Sequence, residues 1–231
     1  MKYYFFSMLF FLCVALSAQT YEIGAFVGGA NNIGDVGRTT FIAPSDVAFG
    51  GLFKWNKSKR YAWRASLIYG KFTADDSKSD MAARQQRGYV VDNSIFEASA
   101  GLEFNFVEYN LHKIGPAFTP YLYTGFTYFR YDYDYIDAGQ QLSLDQKDGS
   151  LAIPMIVGVK MRLNQFLVIG AEVGARYTFT DNLDASNPEK SNINQQLDVD
   201  FGNIFSDDWY VFSGVTLTYT FGRKPCSDCF E

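Results

Sequence analysis

The chain has 231 residues, a formal charge of −5 and a near-neutral mean hydropathy of −0.10. Aromatic residues make up 18%, with 22 Phe and 16 Tyr, while charged residues stop at 19%, an aromatic-rich and charge-poor balance for a water-soluble domain. These figures exclude a helical membrane protein, whose hydropathy would be far higher, and give no electrostatic reason to expect a nucleic-acid partner.

The chain opens with "MKYYFFSMLFFLCVALSA": a basic Lys2, an apolar run from Tyr3 to Leu16, and small residues at Ser17 and Ala18. This is the pattern of a secretory signal peptide over 1–18, cut before Gln19. The run falls short of the roughly 20 residues of a spanning helix. Cys13 lies within the apolar stretch with no small residue before it, which argues against a lipoprotein cleavage point. The exported chain keeps only Cys226 and Cys229, so no disulfide framework holds it together.

From there the sequence alternates with period two, the mark of strands with two different faces. "YEIGAFVGG" sets Ile23, Ala25 and Val27 against Glu22, Gly24 and Gly28. "AFGGLFKWN" sets Phe49, Phe53 and Trp55 against Gly50 and Lys54. "RYAWRASLIYG" sets Tyr61, Trp63, Ala65, Leu67 and Tyr69 against Arg64, Ser66 and Gly70, with Ile68 on the polar face against the pattern. "SIFEASAGLEFNF" sets Phe96, Ala98, Ala100, Leu102, Phe104 and Phe106 against Glu97, Ser99, Gly101, Glu103 and Asn105. "TPYLYTGFTYFRYDY" is aromatic on both faces and cannot be oriented. "LAIPMIVGVKMRL" sets Ile153, Met155, Val157, Val159, Met161 and Leu163 against Pro154, Gly158, Lys160 and Arg162. "QFLVIGAEVGARYTFT" sets Leu167, Ile169, Ala171, Val173, Ala175, Tyr177 and Phe179 against Gly170, Glu172, Gly174 and Arg176. The last strand, 209–221, sets Trp209, Val211, Val215, Leu217, Tyr219 and Phe221 against Gly214, Thr216, Thr218 and Thr220.

These are eight strands, several of them ten or more residues long, and about nine to eleven tilted residues cross a bilayer. The connections alternate. Long polar ones are expected at 31–46, 74–93, 133–150 and 181–207, and shorter ones at 56–59, 107–117 and 163–165. That is the plan of an eight-stranded antiparallel transmembrane β-barrel, a meander of OmpA/OmpX-like size over 19–222, with outer-membrane lipid around it and both termini on the short-loop, periplasmic side. A soluble sandwich or lipocalin-like barrel would alternate in the same way. Its exposed face would carry Lys and Glu, however, where this polar face carries Gly and Thr, and its aromatics would not gather at strand ends.

On this register Glu22, Glu97, Glu103 and Glu172 face inward with Lys54, Arg64, Lys160, Arg162 and Arg176. An eight-stranded barrel is just wide enough for side chains to fill, so these are expected to pair into a buried network rather than to line a conducting pore. Outward placement would cost about 2–4 kcal/mol per Arg or Lys at mid-membrane. The final strand must close on the first and is an open edge until it does. Its ending on Tyr219-Thr220-Phe221 is the signal expected to be read by the barrel-assembly machinery during insertion. Phe221 is also expected in a lower aromatic girdle with Trp55, Trp63, Phe104, Phe106 and Tyr219.

Residues that carry chemistry are sparse. The single histidine, His112, sits on a short connection and reads as a solvated turn residue. "TADDSKSD" and "DYDYIDAG" gather carboxylates without the spacing of a calcium loop. No glycine-rich phosphate loop precedes a helix. Cys226 and Cys229 lack the helix start that lowers a thiol pKa; on a periplasmic tail, 223–231, they read as a local disulfide or as free thiols. No enzyme, cofactor or small-molecule substrate is expected.

Several stretches together resemble the PorG family, an outer-membrane barrel of the type IX secretion system of Bacteroidetes: "YEIGAFVGGANNIGDVGRT", "AFGGLFKWN", "ARQQRGYVVDNSIFEASAGLEFNF", "FTPYLYTGF", "GARYTFTDNLD" and "DDWYVFSGVTLTYTFGRKPC". The likeness runs from about Tyr21 to Cys226; the segments 133–150 and 185–205 do not share in it. The resemblance implies a non-enzymatic structural component of a protein exporter that associates with the periplasmic ring of PorK and PorN, and that supports gliding where it occurs. From topology, the surface open to such a ring is expected to include His112, Lys113, Arg223 and Lys224. The competing readings are a free-standing OmpA- or OmpX-like barrel used in adhesion or envelope integrity, and a narrow pore.

Overall fold

A computed structural model of the chain describes residues 20–111, 117–188, 201–203 and 205–222, and for Asp145 the backbone alone. The expected signal peptide, His112, Lys113, Arg223, Lys224, Cys226 and Cys229 lie outside these residues.

Eight strands follow one another: β1 (Thr20–Ile33), β2 (Asp46–Asn56), β3 (Tyr61–Asp75), β4 (Val90–Asn105), β5 (Phe118–Asp137), β6 (Gln140–Arg162), β7 (Leu167–Thr178) and β8 (Trp209–Phe221). Each pairs antiparallel with its sequence neighbours, and β8 returns to β1, closing an eight-stranded antiparallel barrel. The closing seam runs from Tyr21↔Phe221 to Ile33↔Trp209. With no free edge left in the ring, the strand backbones satisfy one another.

The barrel is inverted relative to a soluble one. Outward positions carry Ile23, Val27, Phe49, Leu67, Phe96, Val157, Val215 and Leu217, all exposed, and Phe126 reaches 79% exposure. Inward positions carry the buried charges and hydroxyls. Alternation alone places these residues, because successive side chains on a strand point to opposite faces.

The described start of β1 at Thr20 and end of β8 at Phe221 share the proximal end with the tight connections 57–60 and 163–166 and with residues 106–111. The distal end carries 34–45, 76–89 and 179–208. Within 76–89 a 3-10 turn (Asp76–Lys78) and a short helix α1 (Ala82–Arg87) form, and α1 ends on Gly88 at φ 70°. Among the described residues no helix is long and apolar enough to cross a membrane.

One expected loop is absent. The long connection at 133–150 is instead ordered hairpin: β5 runs to Asp137, β6 starts at Gln140, and the turn is Ala138 (φ 49°) and Gly139 (φ 84°). Two left-handed residues match the twist of the flanking strands. The polar composition that reads as a loop belongs to strand that has risen above the apolar belt, where both faces can be wet. A register shift at Tyr133/Asp134 marks the same region. The ambiguous β5 is also resolved: Tyr121, Tyr123, Phe129, Tyr131 and Tyr133 point inward, and Leu122, Phe126 and Tyr128 outward.

Candidate functional site

The interior is built in layers. Near the proximal end Glu103 of β4 receives Lys160 Nζ of β6 at 2.5 Å on one oxygen and Lys54 Nζ of β2 at 2.8 Å on the other, with Arg64 Nη1 of β3 at 3.7 Å. One layer up, Arg64 donates two 2.7 Å hydrogen bonds to the two carboxylate oxygens of Glu172 on β7, and Tyr121 donates a third. Above that, Arg176 of β7 grips Glu97 of β4 through Nε and Nη2 at 3.1 and 2.9 Å, while Tyr210 of β8 donates to the same carboxylate at 2.8 Å. Aromatic faces line the cations: Arg64 over Tyr123 and Arg176 over Phe212, at 5.0 and 4.6 Å. Two-pronged Arg–carboxylate geometry with a phenol filling the remaining lone pair is what a buried ion pair needs to offset its lost hydration.

Two of the nine inward charges stand outside these layers. Glu22 accepts from Thr218 Oγ1 at 2.6 Å and from Asn56 Nδ2 at 2.8 Å. Arg162 donates to the Asn110 carbonyl at 3.0 Å.

Beside the upper ionic layer and above it lies an apolar cluster of Phe26, Leu52, Ile68, Phe72, Ile95, Phe129, Tyr131, Tyr210 and Phe212, joined by Leu183 from the distal cap. Ile68, off-pattern in the sequence, is therefore an interior residue of this cluster. At the proximal mouth the 106–117 connection turns Tyr109 and Leu111 inward onto Val168, and Lys160 sits 4.7 Å over the Tyr109 ring. The residues beside His112 and Lys113 thus cap the lumen from below.

The distal cap knits three connections together. Asp76 accepts from Gly37 N, Tyr89 N and Arg87. Arg87 is sandwiched between Tyr89 and Phe201, 4.9 Å from each ring, and donates to the Asp35 carbonyl at 2.7 Å. Asp75 caps the 3-10 turn through Ser77 N. Two of the "TADDSKSD" carboxylates, Asp75 and Asp76, therefore bond to the protein itself. Among the described residues, no group of three or more His, Cys, Asp or Glu could hold a metal ion.

The same cap buries Asp184 and Asp208. Asp184 accepts from Val36 N at 2.8 Å and Ser186 N at 3.2 Å; Asp208 accepts from Leu183 N at 2.8 Å through one oxygen only. Burial pushes both carboxyls above their usual range, and for Asp208 the neighbouring Asp184 adds to the rise. Burial also lifts Asp181, to about 6. The sequence carries no signal for this pair, which lies on a polar connection beyond the last alternating residue. Tyr121 and Tyr210 were equally illegible as lumen groups, Tyr121 because β5 could not be oriented.

At the proximal rim Tyr21 stacks on both Phe53 and Phe221, Phe166 stacks on Tyr219, and Phe104 meets Phe106 edge-on. At the distal rim Trp209 contacts Tyr177 and Phe41.

No curated protein sequence matches this chain significantly. Among solved structures it is similar to the N-terminal β-barrel domain of Pseudomonas aeruginosa OprF, at 13% identity over 87% of this chain and 97% of that one, with a TM-score of 0.44. It is also similar to Ail of Yersinia pestis, at 11% over 89% and 100% with a TM-score of 0.48, and to a major outer membrane protein of Thermus thermophilus, at 10% over 89% and 100% with a TM-score of 0.45. Likeness at that level carries nothing about function. The sequence itself matches the family described as "Domain of unknown function (DUF6089)" over residues 1–230, and the chain belongs to that family.

Proposed function

We propose that this chain is an integral outer-membrane barrel with a plugged interior, acting as a non-enzymatic structural component of the type IX protein-export machinery. Its inverted sidedness carries the membrane part of this reading. On β3 the outward residues are apolar or aromatic from Tyr61 to Tyr69 and turn polar at Lys71. At about 3.4 Å per residue and a tilt near 40°, that run covers roughly 20 Å of bilayer. In water such a surface would far exceed the apolar patches a soluble monomer tolerates. The ionic layers, the aromatic stack and the two caps fill the interior, which favours a scaffold over a conduit.

The export role rests on the resemblance to the PorG family, and PorK and PorN are the partners it names. With the tight connections and termini on the periplasmic side, the docking surface offered to a ring is the 106–117 connection and the tail. The test is a pull-down of the tagged protein from detergent-solubilised outer membrane. PorK and PorN are expected to co-purify with it. Replacing 108–116 together with deleting 223–231 is expected to lose them while the barrel stays folded. Recovery of the barrel alone from wild-type membranes would instead mark a free-standing OmpA-like protein.

A further inference from the structure

The distal cap buries two carboxylates with no cation between them among the described residues. Asp184 and Asp208 are respectively 0% and 1% exposed. A side chain added at Gly34 would collide with Asp208 Oδ1 and with Asp184 Oδ2 together, so the two oxygens, from the two ends of the 179–208 connection, flank one point beside Gly34 of 34–45. Asp208 Oδ1 is buried and accepts no hydrogen bond. The charges around the pair are acidic: Asp35 from 34–45, and Asp181 and Asp207 from 179–208. Among the described residues the nearby cations are committed elsewhere. Arg87 pairs with Asp76 at 2.8 Å and Arg84 points to Asp35 at 3.9 Å. On the β5 side Asn182 Nδ2 meets the Asp134 carbonyl, not its carboxylate.

Two like charges cannot both persist in such a site; one group keeps its proton. We infer that Asp184 and Asp208 form a proton-operated clasp that pins Gly34–Val36 against Leu183, Asp184 and Asp208 over the barrel mouth, closed when one proton is bound and loosened when it leaves. The backbone bond at stake between the two segments is Val36 N to Asp184, while Leu183 N to Asp208 joins the two ends of 179–208 beneath it. The sign follows from linkage. The folded cap binds a proton that the opened cap, with ordinary aspartates, releases above about pH 4. Cap stability therefore falls as pH rises from that point, and Asp181 adds to the fall up to its own value of about 6.

Hydrogen exchange on the folded full-length protein in detergent tests this, with rates corrected for intrinsic pH dependence. Protection of amides in 34–37 and 181–186 is expected to drop at least about tenfold between pH 5 and pH 8, since an opening that releases one proton gains up to tenfold for every step of one in pH. Strand amides in β3 and β7 should not change. Asp208→Asn keeps the shape of the protonated acid and is expected to hold its protection from pH 6.5 to pH 8, with only the smaller Asp181 loss below that. The clasp is overturned by equal protection at both pH values, or by a drop between pH 6.5 and pH 8, beyond the range in which Asp181 titrates, that survives in Asp208→Asn. Should that variant fail to fold, infrared spectroscopy of the wild type decides. A protonated carboxylic C=O band persisting at pH 6.5 and above supports the clasp, and its absence there refutes it. Recovery of protection at pH 8 on adding calcium, with no such band, would refute it in favour of a cation site.

Discussion

Glu103 is the residue on which most of the interior charge converges. Lys160, Lys54 and Arg64 all approach it, and its side chain is fully buried. Removing its charge leaves three cations without their anion in a space that water does not reach. Glu103→Gln is accordingly expected to destabilise the barrel by about 3–5 kcal/mol, the usual cost of breaking a buried pair from one side, as measured by urea unfolding in lipid vesicles. Glu108 is the contrasting case. It faces Lys59 at 3.7 Å with both side chains more than half exposed, and Glu108→Gln should change stability by about 0.5 kcal/mol or less.

At the scale of the element, the closing strand is the most informative. Tyr219 and Phe221 point outward at the proximal rim, and each stacks on an aromatic of another segment, Phe166 and Tyr21. Replacing both with Ala removes about 1–3 kcal/mol of stacking. If they also mark the strand for the assembly machinery, the folded yield in the outer membrane falls several-fold while refolding of purified protein into vesicles stays close to wild type. Heat-modifiable migration on gels reads both quantities, and an equal loss in the two settings would leave only the packing role. Most strands could be read from the sequence because lipid and lumen sort side chains so sharply that period two survives. The readings failed where that sorting weakens. In β5, tyrosine serves both faces: Tyr121 and Tyr123 point in and spend their hydroxyls on Glu172 and Ser99, while Tyr128 points out. The upper β5–β6 hairpin leaves the apolar belt, so its polar residues imitate a loop. For the interior, facing direction was legible residue by residue but partner choice was not. Arg64 could equally have met Glu97 on the neighbouring strand, and only the closed geometry sends it across to Glu172.

The whole molecule is a cylinder stoppered at both ends. Tyr109 and Leu111 close it below, and Leu183 with the three knitted connections closes it above. Purified protein in planar bilayers is therefore expected to give no steady single-channel conductance at neutral pH; regular open levels would contradict the plugged interior. The layout of the ion pairs carries a further consequence. Lys54 on β2 and Lys160 on β6 meet Glu103 on β4; Arg64 on β3 meets Glu172 on β7; Arg176 on β7 meets Glu97 on β4. Each bond is a spoke that skips at least one strand. A half-rolled sheet, or a row of copies joined edge to edge, would part these charges from the mates just named, leaving only the longer Arg64–Glu103 contact between neighbouring strands. Rolling up is thus an all-or-none event, and the ionic hub penalises each open-ended alternative.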